Sequence, residues 1–290
     1  MKTIAAVFSI VFIVAFTDSG AQNRYTYFSP AHNIPVFTKQ FDSKIAANFA
    51  TDGGNESYSG KDSSEREKSS SDGFDIQGGL ALTNRIALQL GYYYRREHGT
   101  AMSKTDFADS RIISKYKIIE FGLGYYTPLD KKQHMFFQLY TGGGFGKTTI
   151  RESGMDTGLH AYSRSYDANI TKMFLEPSLS FRTKIAFTGS VFTRATIAKF
   201  SRIRSNYTKR ESQNLNLDSL DRYSVLFIEP GIIGSLGFRR LPGIRIEVQI
   251  AAAAMTRGSF IKYQPINMAI GLYLDLPKLI KWQKYQPFKW

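Results

Sequence analysis

Cysteine is absent from all 290 residues, which excludes disulfides, thiolate metal sites and a lipid anchor on an N-terminal cysteine. Histidine is scarce: His32, His98, His134 and His160 are the whole supply, and none is spaced as a metal-binding motif. Long apolar runs are confined to Ile4–Phe16, roughly 13 residues against the ~20 that a membrane-spanning helix needs. Beyond it nothing could cross a bilayer as a helix, and the mean hydropathy is −0.26. Acid is short relative to base, 24 against 38, leaving a net charge of +14. With no nucleic-acid module visible, nucleic acid is not an expected partner. The charge points to outer-membrane lipids, lipopolysaccharide phosphate or an acidic protein partner, or else to a solvated loop surface.

What is present begins with export. Lys2, the apolar run and the small residues Ser19-Gly20-Ala21 read as a signal peptide over 1–21, with Gln22 first in the mature chain. A periplasmic segment over 22–40, a barrel over 41–276 and a basic aromatic tail over 277–290 are expected to follow.

Period-two alternation dominates the rest. In residues 86–95, Ile86, Leu88, Leu90 and Tyr92 share one face while Gln89, Gly91, Tyr93 and Arg95 share the other. The pattern recurs in ten segments: 41–50, 73–82, 86–96, 116–126, 134–147, 170–182, 185–199, 222–237, 244–255 and 264–275. Their connections alternate between short polar turns and long hydrophilic loops at 51–72, 97–115, 148–169 and 200–221. That alternation predicts an all-β fold, a transmembrane antiparallel barrel of about ten strands with long extracellular loops, short periplasmic turns and both termini in the periplasm. The cell outer membrane is the expected location.

The polar faces would point into the lumen and carry Arg95, Glu120, Glu176, Arg182, Arg194, Glu229, Arg245 and Glu247. Such a set serves either as a selectivity filter for a small polar solute or as the paired charge that fills a narrow barrel; Tyr93, Phe136, Tyr140, Phe174 and Phe227 on the same faces favour a plugged lumen. A weak repeat, Phe174-Leu-Glu-Pro177 and Phe227-Ile-Glu-Pro230, places two prolines where each would mark a bulge or a break in pairing.

The stretches Tyr27–Phe37, Gly73–Gly79 with Ala81–Asn84, Glu120–Tyr126 and the two Phe-x-Glu-Pro motifs resemble a group of small outer-membrane β-barrel proteins from Bacteroidetes. The resemblance covers most of the mature chain and implies the location and the fold, with no particular activity. Many members carry a cysteine after the signal, which this chain lacks.

Catalysis has little support. His98, near the outer end of its strand, could be joined by Ser103, Asp106 or Asp109 in a rim hydrolase, but no nucleophile motif accompanies it. His32 reads as a solvated periplasmic residue. Gly142–Thr148 lacks phosphate-loop spacing, and its glycines suit close strand approach. Trp282, Tyr285, Phe288 and Trp290 in the tail suit the headgroups of the inner leaflet. The expectation is a non-enzymatic barrel without cofactor or metal, structural or engaged in surface interaction through its long loops. The alternative is a narrow pore or an accessory part of a secretion or gliding assembly.

Overall fold

The computed structural model describes residues 26–285 apart from 52–54, 60–64, 104–108, 156–159, 184–186, 215–216, 218–219, 239–240, 242, 257–260 and 262. The expected signal peptide and the tail residues Phe288 and Trp290 lie outside the described residues.

The strands are β1 (Ser43–Thr51), β2 (Asn55–Ser59), β3 (Glu65–Ala81), β4 (Ile86–Ser103), β5 (Asp109–Pro128), β6 (Met135–Met155), β7 (Ala161–Arg182), β8 (Phe187–Ser205), β9 (Ser224–Gly237), β10 (Ile244–Ala252), β11 (Ala254–Met255) and β12 (Ile266–Asp275). Helix α1 (Lys209–Asn214) follows β8, and α2 (Leu276–Tyr285) follows β12. Ten of the strands form a closed antiparallel barrel, with β1 hydrogen-bonded on one side to β12 and on the other to β3. The two short ones are additions: β2 folds back on the outer part of β3, and β11 carries β10 onward beside β9.

The short turns close with local polar chemistry. Thr83 Oγ1 accepts from the amides of Arg85 and Ile86, and Asp130 Oδ1 accepts from those of His134 and Met135. Ahead of β10, Gly243 has φ +104°, and a side chain there would meet the Asp275 carbonyl at 2.9 Å. Within the wall, a Cβ on Gly142 would stand 2.1 Å from the Phe121 carbonyl oxygen, so these glycines do permit close strand approach.

Six strands run well past the expected limits, and most of the length read as long loops is strand. The cause is a change of face. On β5, Ile119, Phe121, Leu123 and Tyr125 are exposed on the outside, whereas Ile112, Tyr116 and Ile118 are buried on the inside. The adjacent pair Ile118-Ile119 is where the apolar face crosses from interior to exterior. On β7 the crossing falls between buried Ile170 and Met173, which is 70% exposed. Below it the wall is apolar outside, as lipid requires; above it the wall is polar outside and encloses an apolar core that includes Tyr166, Ile150, Phe200 and Leu220. On β7 the polar-sided part, Ala161–Thr171, rises about 25–30 Å at ~3.3 Å per residue and ~40° of tilt.

The N-terminal segment departs from expectation most. Residues 26–37 do not lie in the periplasm; they thread the lumen from its outer end at Tyr27 to its periplasmic end at Phe37. Tyr27 bridges Tyr263 and stacks on Phe227 with ring centroids 4.0 Å apart. Halfway down, Gln77 donates to the Ala31 carbonyl and Asn33 to that of Gly78. Phe37 reaches Tyr126 near the lower rim. Burial of Tyr27, Phe28, Ile34 and Phe37 supplies the driving force, about 1.5–3 kcal/mol for each large apolar side chain.

Each Phe-x-Glu-Pro proline interrupts one ladder without a register shift. Pro177 falls in a gap of the β7–β8 pairing, and Pro230 lies opposite the end of β10. These are breaks in pairing, as expected where proline has no amide to donate, and not bulges.

Candidate functional site

At the level of the lipid belt the lumen holds a buried ion cluster centred on Arg194 of β8. Its Nη1 donates to Glu120 Oε2 at 2.9 Å and its Nε to Glu176 Oε2 at 2.6 Å. The guanidinium lies 4.3 Å above the Phe174 ring centroid. Lys172 pairs with the other oxygen of Glu120. Glu229, the cross-strand neighbour of Arg194, accepts from Thr196 Oγ1 at 2.5 Å and from the Tyr27 hydroxyl at 3.1 Å. His32 Nδ1 donates to Glu176 Oε2 at 2.8 Å.

Two of the three carboxylates, Glu120 and Glu176, thus contact Arg194 or Lys172, and hydroxyl and imidazole donors complete the set. Two of those donors, Tyr27 and His32, come from the threaded segment. The barrel wall therefore presents acid that the segment satisfies, which positions the plug by polar register as well as by apolar burial. His32, expected to be solvated, is fully buried for this reason.

The remaining lumen charges form separate pairs. Arg95 makes a bidentate contact with Asp75, its Nη2 donating to Oδ2 at 2.8 Å. Glu247 accepts from Lys44 Nζ at 2.7 Å. Arg182 and Arg245 sit at the periplasmic mouth. Arg182 Nε donates to the Gln133 carbonyl at 2.9 Å, with the guanidinium 5.6 Å from the Phe136 centroid. Arg245 donates to Thr188 Oγ1 at 2.7 Å and Ser235 Oγ at 3.1 Å.

Of the eight residues expected in the lumen, the structure joins Glu120, Glu176, Arg194 and Glu229 and distributes the other four. Lys172, Lys44, Tyr27 and His32 complete the pairs and were not foreseen in these roles. Lys172 was legible in principle, since it shares inward parity with Ile170 and Phe174.

Among the described residues no group of three His, Asp or Glu side chains is placed to hold a metal. His98 lies on the outward face of β4, opposite Ile113. Asp106 lies outside the described residues, as do the side chains of Ser103 and Asp109. Trp282 and Tyr285 fall on α2, so the tail leaves the barrel as a helix.

A closed ladder with an apolar exterior and a filled, charge-paired interior is an integral membrane β-barrel of the bacterial outer-membrane class, and the outer membrane is where it resides. No protein-family model matches the chain, and no curated protein resembles it in sequence. Solved structures with a similar course include the translocator domain of the autotransporter NalP from Neisseria meningitidis, at TM-score 0.47 and 9% identity over 80% of this chain and 88% of that one. The outer membrane protease OmpT from Escherichia coli gives TM-score 0.43 and 10% identity over 83% and 98%. The toluene transporter TbuX from Ralstonia pickettii gives 0.39 and 6% over 82% and 90%. The ladder and the lipid-facing belt, not these likenesses, define the class.

Proposed function

We propose that the protein is a non-enzymatic, non-conducting barrel that acts at the cell surface through the outer ends of its strands. The observation that carries this reading is the change of face on β5 and β7, which lifts a rigid, polar-sided collar well above the lipid. Its rim is fastened by specific contacts. Tyr207 donates to Glu152 at 2.8 Å, and Arg164 grips Glu211 through Nε and Nη2. Thr208 and Glu211 cap α1 reciprocally, the Glu211 carboxylate accepting from the Thr208 amide at 2.7 Å. A collar ordered in this way suits contact with a protein partner. The threaded lumen weighs against the narrow-pore alternative.

Lipopolysaccharide is the proposed lipid partner. Lys117 and Lys147 face each other across β5 and β6, one step above Ile119 and Phe145, with Lys115 and Arg151 beside them. Like charges directly opposite are unfavourable alone, and Asp167, 3.2 Å from Lys147 and 2.9 Å from Arg151, offsets only part of the charge. Phosphates at the headgroup level would complete the balance.

The test is capture of partners from native outer membranes by the intact protein and by a variant whose β6–β7 hairpin is cut back to Phe145 and Thr171 and rejoined by a short turn. Loss of the captured protein with the barrel intact supports the reading; undiminished capture overturns it. Lys117→Gln with Lys147→Gln should reduce co-purified lipopolysaccharide, and an unchanged amount would refute that contact.

A further inference from the structure

Above the lipid belt the outward faces of β5 and β6 carry exposed cations at several heights. Lys117 and Lys147 face each other one step above Ile119 and Phe145. Lys115 takes the next outward position on β5, and Arg151 on β6 and Arg111 on β5 follow farther up. An outward step of two residues gains about 5 Å of height at ~3.3 Å per residue and ~40° of tilt. Measured from Ile119 and Phe145, the paired lysines thus lie about 5 Å up, Lys115 about 10 Å, Arg151 about 15 Å and Arg111 about 20 Å. The headgroup layer of a phospholipid leaflet is only about 5–7 Å deep. Lys117 and Lys147 lie within it, and the other three stand above it.

Acid is sparse on this face among the described residues. Lys115 has Arg96 and Thr149 as its cross-strand neighbours, and Arg111 has Thr100 and Ser153. Two like-charged pairs, Lys117 with Lys147 and Arg96 with Lys115, therefore stand at successive heights, an arrangement that favours an anion between them. Asp167 on β7 holds Lys147 at 3.2 Å and Arg151 at 2.9 Å, and Arg204 lies opposite it on β8. Asp72 on β3 lies opposite Arg96. His98 registers the balance: its imidazole is held below the ordinary value by partial burial first, then by Arg96, Arg111 and Lys115, with Asp72 acting the other way. Cations that begin at the headgroups and continue well above them suit a partner anchored in the leaflet whose negative charge rises along the wall. Lipopolysaccharide has this form, with phosphates at its base and acidic or phosphorylated sugars above.

We infer that the collar wall over β5 and β6 is a seat for the acidic inner-core sugars of lipopolysaccharide. Lys115, Arg151 and Arg111 are the residues that meet them, above the lipid A phosphates held by Lys117 and Lys147. The proposal rests on lipopolysaccharide being the lipid partner of those two lysines and adds the part of the molecule that the wall recognises.

The experiment is surface plasmon resonance on the immobilised full-length protein in neutral detergent. The probes are lipopolysaccharide carrying its inner core, lipid A freed of its sugars, and polyaspartate. Core-bearing lipopolysaccharide should bind about 10-fold more tightly than lipid A. Arg111→Gln with Lys115→Gln should remove that margin and leave lipid A binding unchanged. Asp167→Asn, which frees the cations around it, should tighten lipopolysaccharide binding about 3-fold. Lys117→Gln with Lys147→Gln should weaken both lipids alike. If neither lipid binds, or if that lower pair of substitutions changes neither, the lipopolysaccharide contact itself fails and the seat fails with it. Equal affinity for the two lipids leaves the contact standing and overturns the seat. So does a double Arg111 and Lys115 variant that weakens both lipids equally or neither. Tighter binding of polyaspartate than of either lipid would assign the face to an acidic protein and overturn the proposal as well.

Discussion

Replacing Arg194 with leucine removes the shared cation from between two buried carboxylates. Glu120 keeps Lys172, but Glu176 is left with His32 alone. Glu176 is fully buried, and Arg194 donates to it at 2.6 Å, so water cannot take the place of the lost partner without opening the lumen. Breaking one side of a buried ion pair costs about 3–5 kcal/mol. The retained Lys172 keeps the loss from doubling, so we expect about 4 kcal/mol. With a urea dependence of about 2 kcal/mol per molar, the unfolding midpoint should fall by about 2 M. The assay is urea unfolding in detergent, followed by circular dichroism and by the heat-dependent shift of gel migration. Adding Glu176→Gln should recover about half the loss, because the orphaned charge is gone. A midpoint shift below about 0.3 M, or a double variant weaker than the single, would refute the reasoning.

Overpacking the wall should show at Gly124, where a Cβ would lie 2.2 Å from the buried Tyr140 ring: Gly124→Ala should cost about 1–3 kcal/mol in the same urea assay, while Gly78→Ala, with its nearest contact at 3.9 Å, should cost almost nothing. On the exposed rim, the Arg164 hydrogen bond and the Thr208 amide pull the Glu211 pKa down from 4.5 to about 2. A depressed carboxylate stabilises the fold above its unfolded value and loses that contribution as pH falls through its folded value, so the protection of α1 amides from hydrogen exchange, measured relative to the intrinsic rate at each pH, should fall between about pH 4.5 and 2; Arg164→Gln should move the change to higher pH, and a profile the substitution leaves unmoved would count against the pair. Because the chain has no cysteine, single substitutions report topology cleanly. A thiol at Ser163 should react with an impermeant reagent on intact cells and one at Lys131 should not; the reverse would invert the barrel.

The ten strands, their faces and their short turns were legible because lipid on one side and a polar lumen on the other impose a strict period of two. The collar was missed for the same reason. Alternation continues through Arg111–Ile118, but with the apolar residues inside, so a strand judged by an apolar exterior reads there as a hydrophilic loop. The doublet Ile118-Ile119 was the available signal. The threaded segment was misread because Tyr27–Phe37 has no regular period: the contacts that seat it are with distant residues, as in the His32–Glu176 hydrogen bond across 144 positions. The lumen charges were found by parity and their partners were not, since parity assigns a side and says nothing about which residues meet at a given depth. Arg194 with Glu120, 74 positions apart and on strands that do not pair, could be joined only by the closed barrel.

The central claim is that the N-terminal segment seals the lumen at the level of the membrane. Planar-bilayer recording tests it most directly, with the intact protein set beside a variant lacking residues 26–37. The intact protein should insert without discrete current steps, and the deletion should produce them. Steps from the intact protein, of the same size as those of the deletion, would contradict the claim.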